Sequence, residues 1–120
     1  MSLDKIINYL PFLLIIGFFV WRYSKYSSAR KKIPGLLENG AIIVDVRSPE
    51  EFRAACNPKS INIPVSSIAA QASKLDKKRP IVVCCASGAR SGIAAGVLKQ
   101  KGFENVTNAG PWTNTLSGDR

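Results

Sequence analysis

The chain has 120 residues, 46% of them hydrophobic, with a formal net charge of +9, three cysteines and no histidine. That length suits one modest domain, and the missing histidine excludes Cys–His and Ser–His–Asp catalysis within the chain. An odd number of cysteines without a CxxC spacing suits neither a disulfide framework nor a zinc site, so no metal and no cofactor is expected.

The charge is unevenly spread. Residues 1–32 carry six basic residues against Asp4, while residues 33–120 carry eleven basic and seven acidic ones. The excess follows an apolar stretch, which points to a membrane surface. Nucleic acid is not an expected partner: the basic run Lys74, Lys77, Lys78 and Arg79 has no aromatic neighbours on which bases could stack.

Residues 6–23 read IINYLPFLLIIGFFVWRY. As a helix rising about 1.5 Å per residue they span about 24–27 Å, the short end of what crosses a bilayer core. Tyr9 near one end, with Trp21 and Tyr23 at the other, suits interfacial anchoring, and Pro11 sits early, where its missing donor costs least. Basic residues follow the segment, so the positive-inside rule places the remainder in the cytoplasm. A cleaved signal peptide has its basic residues first, the reverse of this order, although Ser27-Ser28-Ala29 is small enough to cleave. The expected division is a membrane helix with a basic linker over 1–32 and a folded domain over 33–120.

Ile33-Pro34-Gly35 is expected to break any helix continuing from the anchor, with a short turn then ending at Gly40. Ala41–Val46 is short and rich in β-branched residues, a buried strand. Ser48-Pro49-Glu50-Glu51 encodes a helix start, with Ser48 as N-cap and Glu51 closing a capping box; that helix is expected to reach about Cys56. Ile61–Ile63 reads as a strand, Ser66 or Ser67 as the cap of a helix to about Leu75, and Ile81–Cys84 as the most buried strand. A helix is expected from Ser91 to about Lys101, a last strand over Phe103–Thr107, and a turn over Asn108–Trp112. Alternating strands and helices imply a parallel α/β sheet with its ligands at the carboxyl ends of the strands.

That rule selects Cys85, which follows the most buried strand and precedes a helix. Ala86, Ser87, Gly88 and Ala89 are small, and a loop of such residues can turn successive backbone N–H groups inward as an anion nest. The helix end and the charge of Arg90 add positive potential, so the Cys85 thiol is expected to ionise readily. Cys84 alternates to the other face and reads as core.

These residues resemble the rhodanese family. CASGARS at Cys85–Ser91 is similar to that family's Cys-x-x-Gly-x-Arg-Ser loop. VDVRSPEEF at Val44–Phe52, INIP at Ile61–Pro64 and NAGPWTN at Asn108–Asn114 resemble further signatures, in the same order. The resemblance implies a rhodanese-like parallel β-sheet flanked by helices. It also implies a sulfurtransferase in which Cys85 takes sulfane sulfur from thiosulfate or a persulfide donor and passes it, as a persulfide, to a thiophilic acceptor. Its partners are then a small-molecule or protein sulfur donor and a thiol acceptor. Residues Ala86 to Ser91 become the persulfide cradle, and Asp45 and Arg47 support it, unless they serve only as a buried ion pair. Where the family has Gly-His-Ile-Pro-Gly-Ala, this chain has Ala55-Cys56-Asn57-Pro58-Lys59-Ser60, which makes Cys56 either a resolving thiol for a Cys85 persulfide or a packed side chain.

Two other functions compete. Phosphatases of related fold, and arsenate reductases using similar chemistry, hold five residues between cysteine and arginine, where this chain has four. A non-enzymatic binding module of the same fold commonly lacks the cysteine.

Overall fold

A computed structural model describes residues 2–119, so Met1 and Arg120, the outer ends of the two expected segments, lie outside it. Helix α1 (Leu3–Glu38) is followed by β1 (Ile42–Asp45), α2 (Pro49–Ala54), β2 (Ile61–Asn62), α3 (Ile68–Gln71), β3 (Ile81–Cys85), α4 (Ala89–Gln100) and β4 (Val106–Pro111). The 3-10 turns Val65–Ser67 and Ala72–Lys74 flank α3, and a 3-10 segment, Trp112–Asp119, follows β4. The strands form one parallel sheet in the order β2-β1-β3-β4.

The sheet has two covered faces, set by alternation along each strand. Val44, Val46, Ile81, Val83 and Cys85 face one core, filled by Ile68, Ala72 and Leu75 around α3 and by Ala94, Ala95 and Leu98 of α4. Ile43, Val82, Cys84 and Ala109 face a second core against Ile33, Leu36, Leu37 and Trp112. Cys84 thus points away from Cys85, as its position implies.

The largest departure from expectation is α1. Pro34 does not end the helix: it lies, with the basic linker of residues 24–32, inside one helix of 36 residues. An interior proline costs about 3 kcal/mol. Against that, Ile33 is fully buried and Leu36 and Leu37 pack beside it, each such side chain contributing about 1.5–3 kcal/mol when fully buried. Packing outweighs local propensity, and the last part of α1 covers one face of the sheet. The first part does not: none of the residues of its apolar stretch is buried. This single apolar helix has the length and composition to cross a bilayer.

The last strand also differs, running over Val106–Pro111 where a turn was expected after Thr107. A register irregularity opposite Val83/Cys84 lets Gly110 pair with Cys84 and Pro111 with Cys85. β4 is an edge strand, where a proline's missing donor is tolerated. The expected helix after Ser67 is only one turn of α-helix between 3-10 turns, and Ser67 makes no capping bond.

Candidate active site

β3 delivers Cys85 to the carboxyl end of the sheet, and the chain turns at Gly88 (φ +104°) directly into α4. This left-handed conformation is open to glycine and costly for residues with a Cβ. The turn brings the Gly88 N–H to 2.9 Å from Cys85 Sγ, and Ser91 Oγ lies 3.3 Å from the same sulfur. Cys85 is fully buried.

Burial pushes the Cys85 thiol up, but the Ser91 hydroxyl and the backbone N–H groups of Ser91, Gly88 and Ser87 outweigh it, so the pKa is lowered. Hydrogen bonds to the charged form therefore dominate. The loop residues 85–91 are brought together as the sequence suggests.

Arg90 is engaged from outside the loop. Its guanidinium forms a two-pronged ion pair with Glu51, Nη1 to Oε1 at 2.7 Å and Nη2 to Oε2 at 3.0 Å. The charge expected to face the thiolate is thus largely compensated by a carboxylate. The same Glu51 closes the predicted capping box with Ser48. The Arg90 pair and then the Ser48 bonds hold the Glu51 carboxyl at about 2, so the clamp stays charged at neutral pH. Arg90 fastens the loop to α2.

The sequence places Asn108 in a turn, within the NAGPWTN motif. It is a hub of the site on β4: Ser91 Oγ donates to its Oδ1 at 2.7 Å, Gly110 N–H donates to the same oxygen at 2.9 Å, and its Nδ2 donates to Gly88 O at 3.2 Å. The amide therefore orients the serine and ties the loop to the neighbouring strand.

Asp45 and Arg47 lie on the opposite face, both buried. Arg47 Nε donates to both carboxylate oxygens at 2.9 and 3.0 Å, and Nη2 donates to Oδ2 and to Ala55 O, each at 2.7 Å. The guanidinium stacks 4.9 Å from the Trp112 ring centre, and Asn62 Nδ2 donates to the carbonyls of Asp45 and Arg47. The pair joins β1, β2, α2 and the C-terminal segment. Its geometry supports the ion-pair reading over contact with Cys85. Cys56 is a half-buried free thiol; on either side of it Ala55 O accepts from Arg47, and Asn57 Nδ2 donates to Thr115. Among the described residues no disulfide joins Cys56 to Cys85.

Two site neighbours escaped the sequence entirely. Arg22 of α1 donates from Nη2 to Ser87 O at 2.8 Å. Tyr26, one turn on, packs so closely that a Cβ at Gly110 would come within 2.9 Å of its ring, while one at Gly88 would overlap its hydroxyl. Only their i, i+4 spacing hints at a shared face.

A rhodanese-like domain family model matches residues 30–109. The chain belongs to the rhodanese-like domain family. It is 38% identical over 81 residues to the thiosulfate sulfurtransferase GlpE of Pseudomonas syringae, covering 63% of this chain and 76% of that protein. Among solved structures, a rhodanese with anions from E. coli is 31% identical, with a TM-score of 0.59 and coverage of 62% of this chain and 91% of that one. A human single-domain sulfurtransferase, TSTD1, is 29% identical, with a TM-score of 0.62 and coverage of 72% and 90%. The chain spans between 41% and 76% of the length of the first curated relatives it matches. The rhodanese-like fold accounts for the parallel sheet, and its match begins within α1, at Arg30.

Proposed function

We propose that this rhodanese-like protein is a sulfurtransferase whose nucleophile is Cys85. The observation that carries this reading is the buried Cys85 sulfur held by the Gly88 N–H and the Ser91 hydroxyl, in a chain whose named relatives include a thiosulfate sulfurtransferase. With thiosulfate as donor, the Cys85 thiolate attacks the outer sulfur, the S–S bond of thiosulfate breaks, and sulfite leaves with the bonding pair. The sulfur stays on Cys85 as a persulfide, and its charge takes over the same donors. A nucleophilic acceptor such as cyanide or a thiolate then removes that outer sulfur and returns the thiolate.

Ser91 has one hydroxyl proton. Given to Asn108, it leaves Oγ as an acceptor for the thiol S–H. Turned to the sulfur, it donates to the thiolate, while Asn108 Oδ1 keeps its bond from Gly110 N–H. The serine thus serves both protonation states without a histidine.

The setting proposed is a single-pass membrane protein, with residues 6–23 in the bilayer and the folded domain on the cytoplasmic side, where thiols remain reduced. The short loop favours transfer of sulfur over phosphate. Incubation with thiosulfate and cyanide should release thiocyanate, and an aryl phosphate should release no phosphate. Phosphate release without thiocyanate would overturn the reading. A binding module would give neither product.

A further inference from the structure

The end of the apolar stretch of α1, from Phe19 to Tyr23 and on to Tyr26, does more than connect. Arg22 reaches Ser87 in the Cys85 loop, and its guanidinium lies 6.0 Å from the ring centre of Phe18 and 5.7 Å from that of Tyr26. Tyr26 is itself seated against Gly88 and Gly110. A cavity of about 370 Å³ opens here, lined by Phe19, Arg22, Tyr23, Tyr26, Ser87 and Pro111. Two of these belong to the candidate site: Ser87 is in the loop, and Pro111 is the strand partner of Cys85.

Charge distinguishes the two arginines at this loop. Arg90 is held by Glu51, whereas no carboxylate pairs with Arg22 among the described residues. A guanidinium has five N–H donors in a fork that matches an oxyanion; one of Arg22's is engaged by Ser87 O. Tyr26 is half-buried against the loop while Phe19 and Tyr23 stand exposed, so an anionic donor reaches Arg22 directly from solvent.

We propose that Arg22 is a substrate-positioning residue, receiving the anionic sulfonate end of a thiosulfate-type donor, so that α1 forms one wall of the active site. This rests on reading Cys85 as the nucleophile. When Cys85 attacks the outer sulfur and the S–S bond breaks, sulfite departs with the electron pair toward Arg22. Tyr26 holds that guanidinium over the loop. The sulfur-accepting half of the reaction needs no sulfonate and does not call on Arg22.

The test uses the full chain in detergent micelles, with two donors: thiosulfate, and 2-hydroxyethyl persulfide, which carries its transferable sulfur on no sulfonate. Formation of the Cys85 persulfide is followed by mass spectrometry and by steady-state rates. In R22Q the ratio of kcat/KM for thiosulfate to that for the alkyl persulfide should fall at least about tenfold, the scale of one charged hydrogen bond, mainly through KM. R22K should recover part of the ratio, and raising the ionic strength should lower it in the wild-type protein. An unchanged ratio, whether both donors fall together or neither does, would overturn the proposal by making Arg22 a structural tie or a bystander. If the wild-type protein forms no Cys85 persulfide from either donor, the nucleophile assignment fails first.

Discussion

Asn108 holds Ser91 at the sulfur: the serine hydroxyl donates over 2.7 Å to Asn108 Oδ1, and that Ser91 Oγ lies 3.3 Å from Cys85 Sγ. This strand-to-helix link places a hydroxyl at a nucleophile that has no base nearby. Ser91→Ala removes the side-chain bond that heads the contributions lowering the Cys85 pKa. Its pKa should rise, read from thiolate absorbance against pH, and alkylation by iodoacetamide near neutrality should slow by several-fold. Asn108→Ala should move both quantities the same way by a smaller amount. An unchanged titration in both variants would assign the lowered pKa to the backbone alone.

The same reasoning sets a pH profile. The thiolate is the reactive form, and its folded pKa is lowered, so transfer should rise with pH along a limb centred below the ordinary thiol value of about 8.5. The ion pair of Glu51 and Arg90 should not shape that limb, because Glu51 titrates near 2.

Glu51 should instead mark acid stability. A carboxyl whose folded pKa lies below its unfolded value stabilises above the unfolded value, and that contribution is lost as pH falls through the folded one. The window for Glu51 therefore runs from about 4.5 down to about 2. Glu51→Gln should lower Tm at pH 7, and the difference from wild type should shrink across that window. A difference independent of pH would remove the ion pair from the account.

Asp45→Ala leaves the Arg47 guanidinium buried without its carboxylate. Removing one partner of a buried pair costs about 3–5 kcal/mol, so a large drop in stability to urea should result. A loss of transfer with unchanged stability would instead give Asp45 a direct part in the chemistry.

Gly88 carries two constraints at once, its left-handed turn and the Tyr26 hydroxyl against it. Gly88→Ala should destabilise the loop by about 1–3 kcal/mol and slow persulfide formation. Tyr26→Ala added to it should relieve the steric part and leave the backbone part. If the second change gives no relief, Tyr26 does not rest on the loop.

Much of this was legible in the sequence, for identifiable reasons. The β-branched runs at Ala41–Val46 and Ile81–Cys84, and the capping box at Ser48 and Glu51, are local signals; the structure has strands over Ile42–Asp45 and Ile81–Cys85 and the capping box as read. The position of Cys85 at a strand's carboxyl end follows from the alternation of elements. What could not be read depends on residues far apart in the chain. Pro34 signals a break, yet burial of Ile33 against the sheet overrides it. The charge of Arg90 is visible in the loop motif, but its partner Glu51, 39 residues away, is not. Arg22 lies 65 residues from Ser87, and nothing in a basic juxtamembrane stretch distinguishes it from Lys25 or Arg30.

The central claim is that Cys85 carries the transferred sulfur. The measurement that tests it most directly is the mass of the Cys85 peptide from the full-length protein, taken after thiosulfate and again after cyanide. The peptide should gain one sulfur atom and then lose it as thiocyanate appears, with no gain at Cys56 or Cys84 and no turnover in Cys85→Ser. Sulfur found on another cysteine, or thiocyanate still formed by Cys85→Ser, would contradict the account.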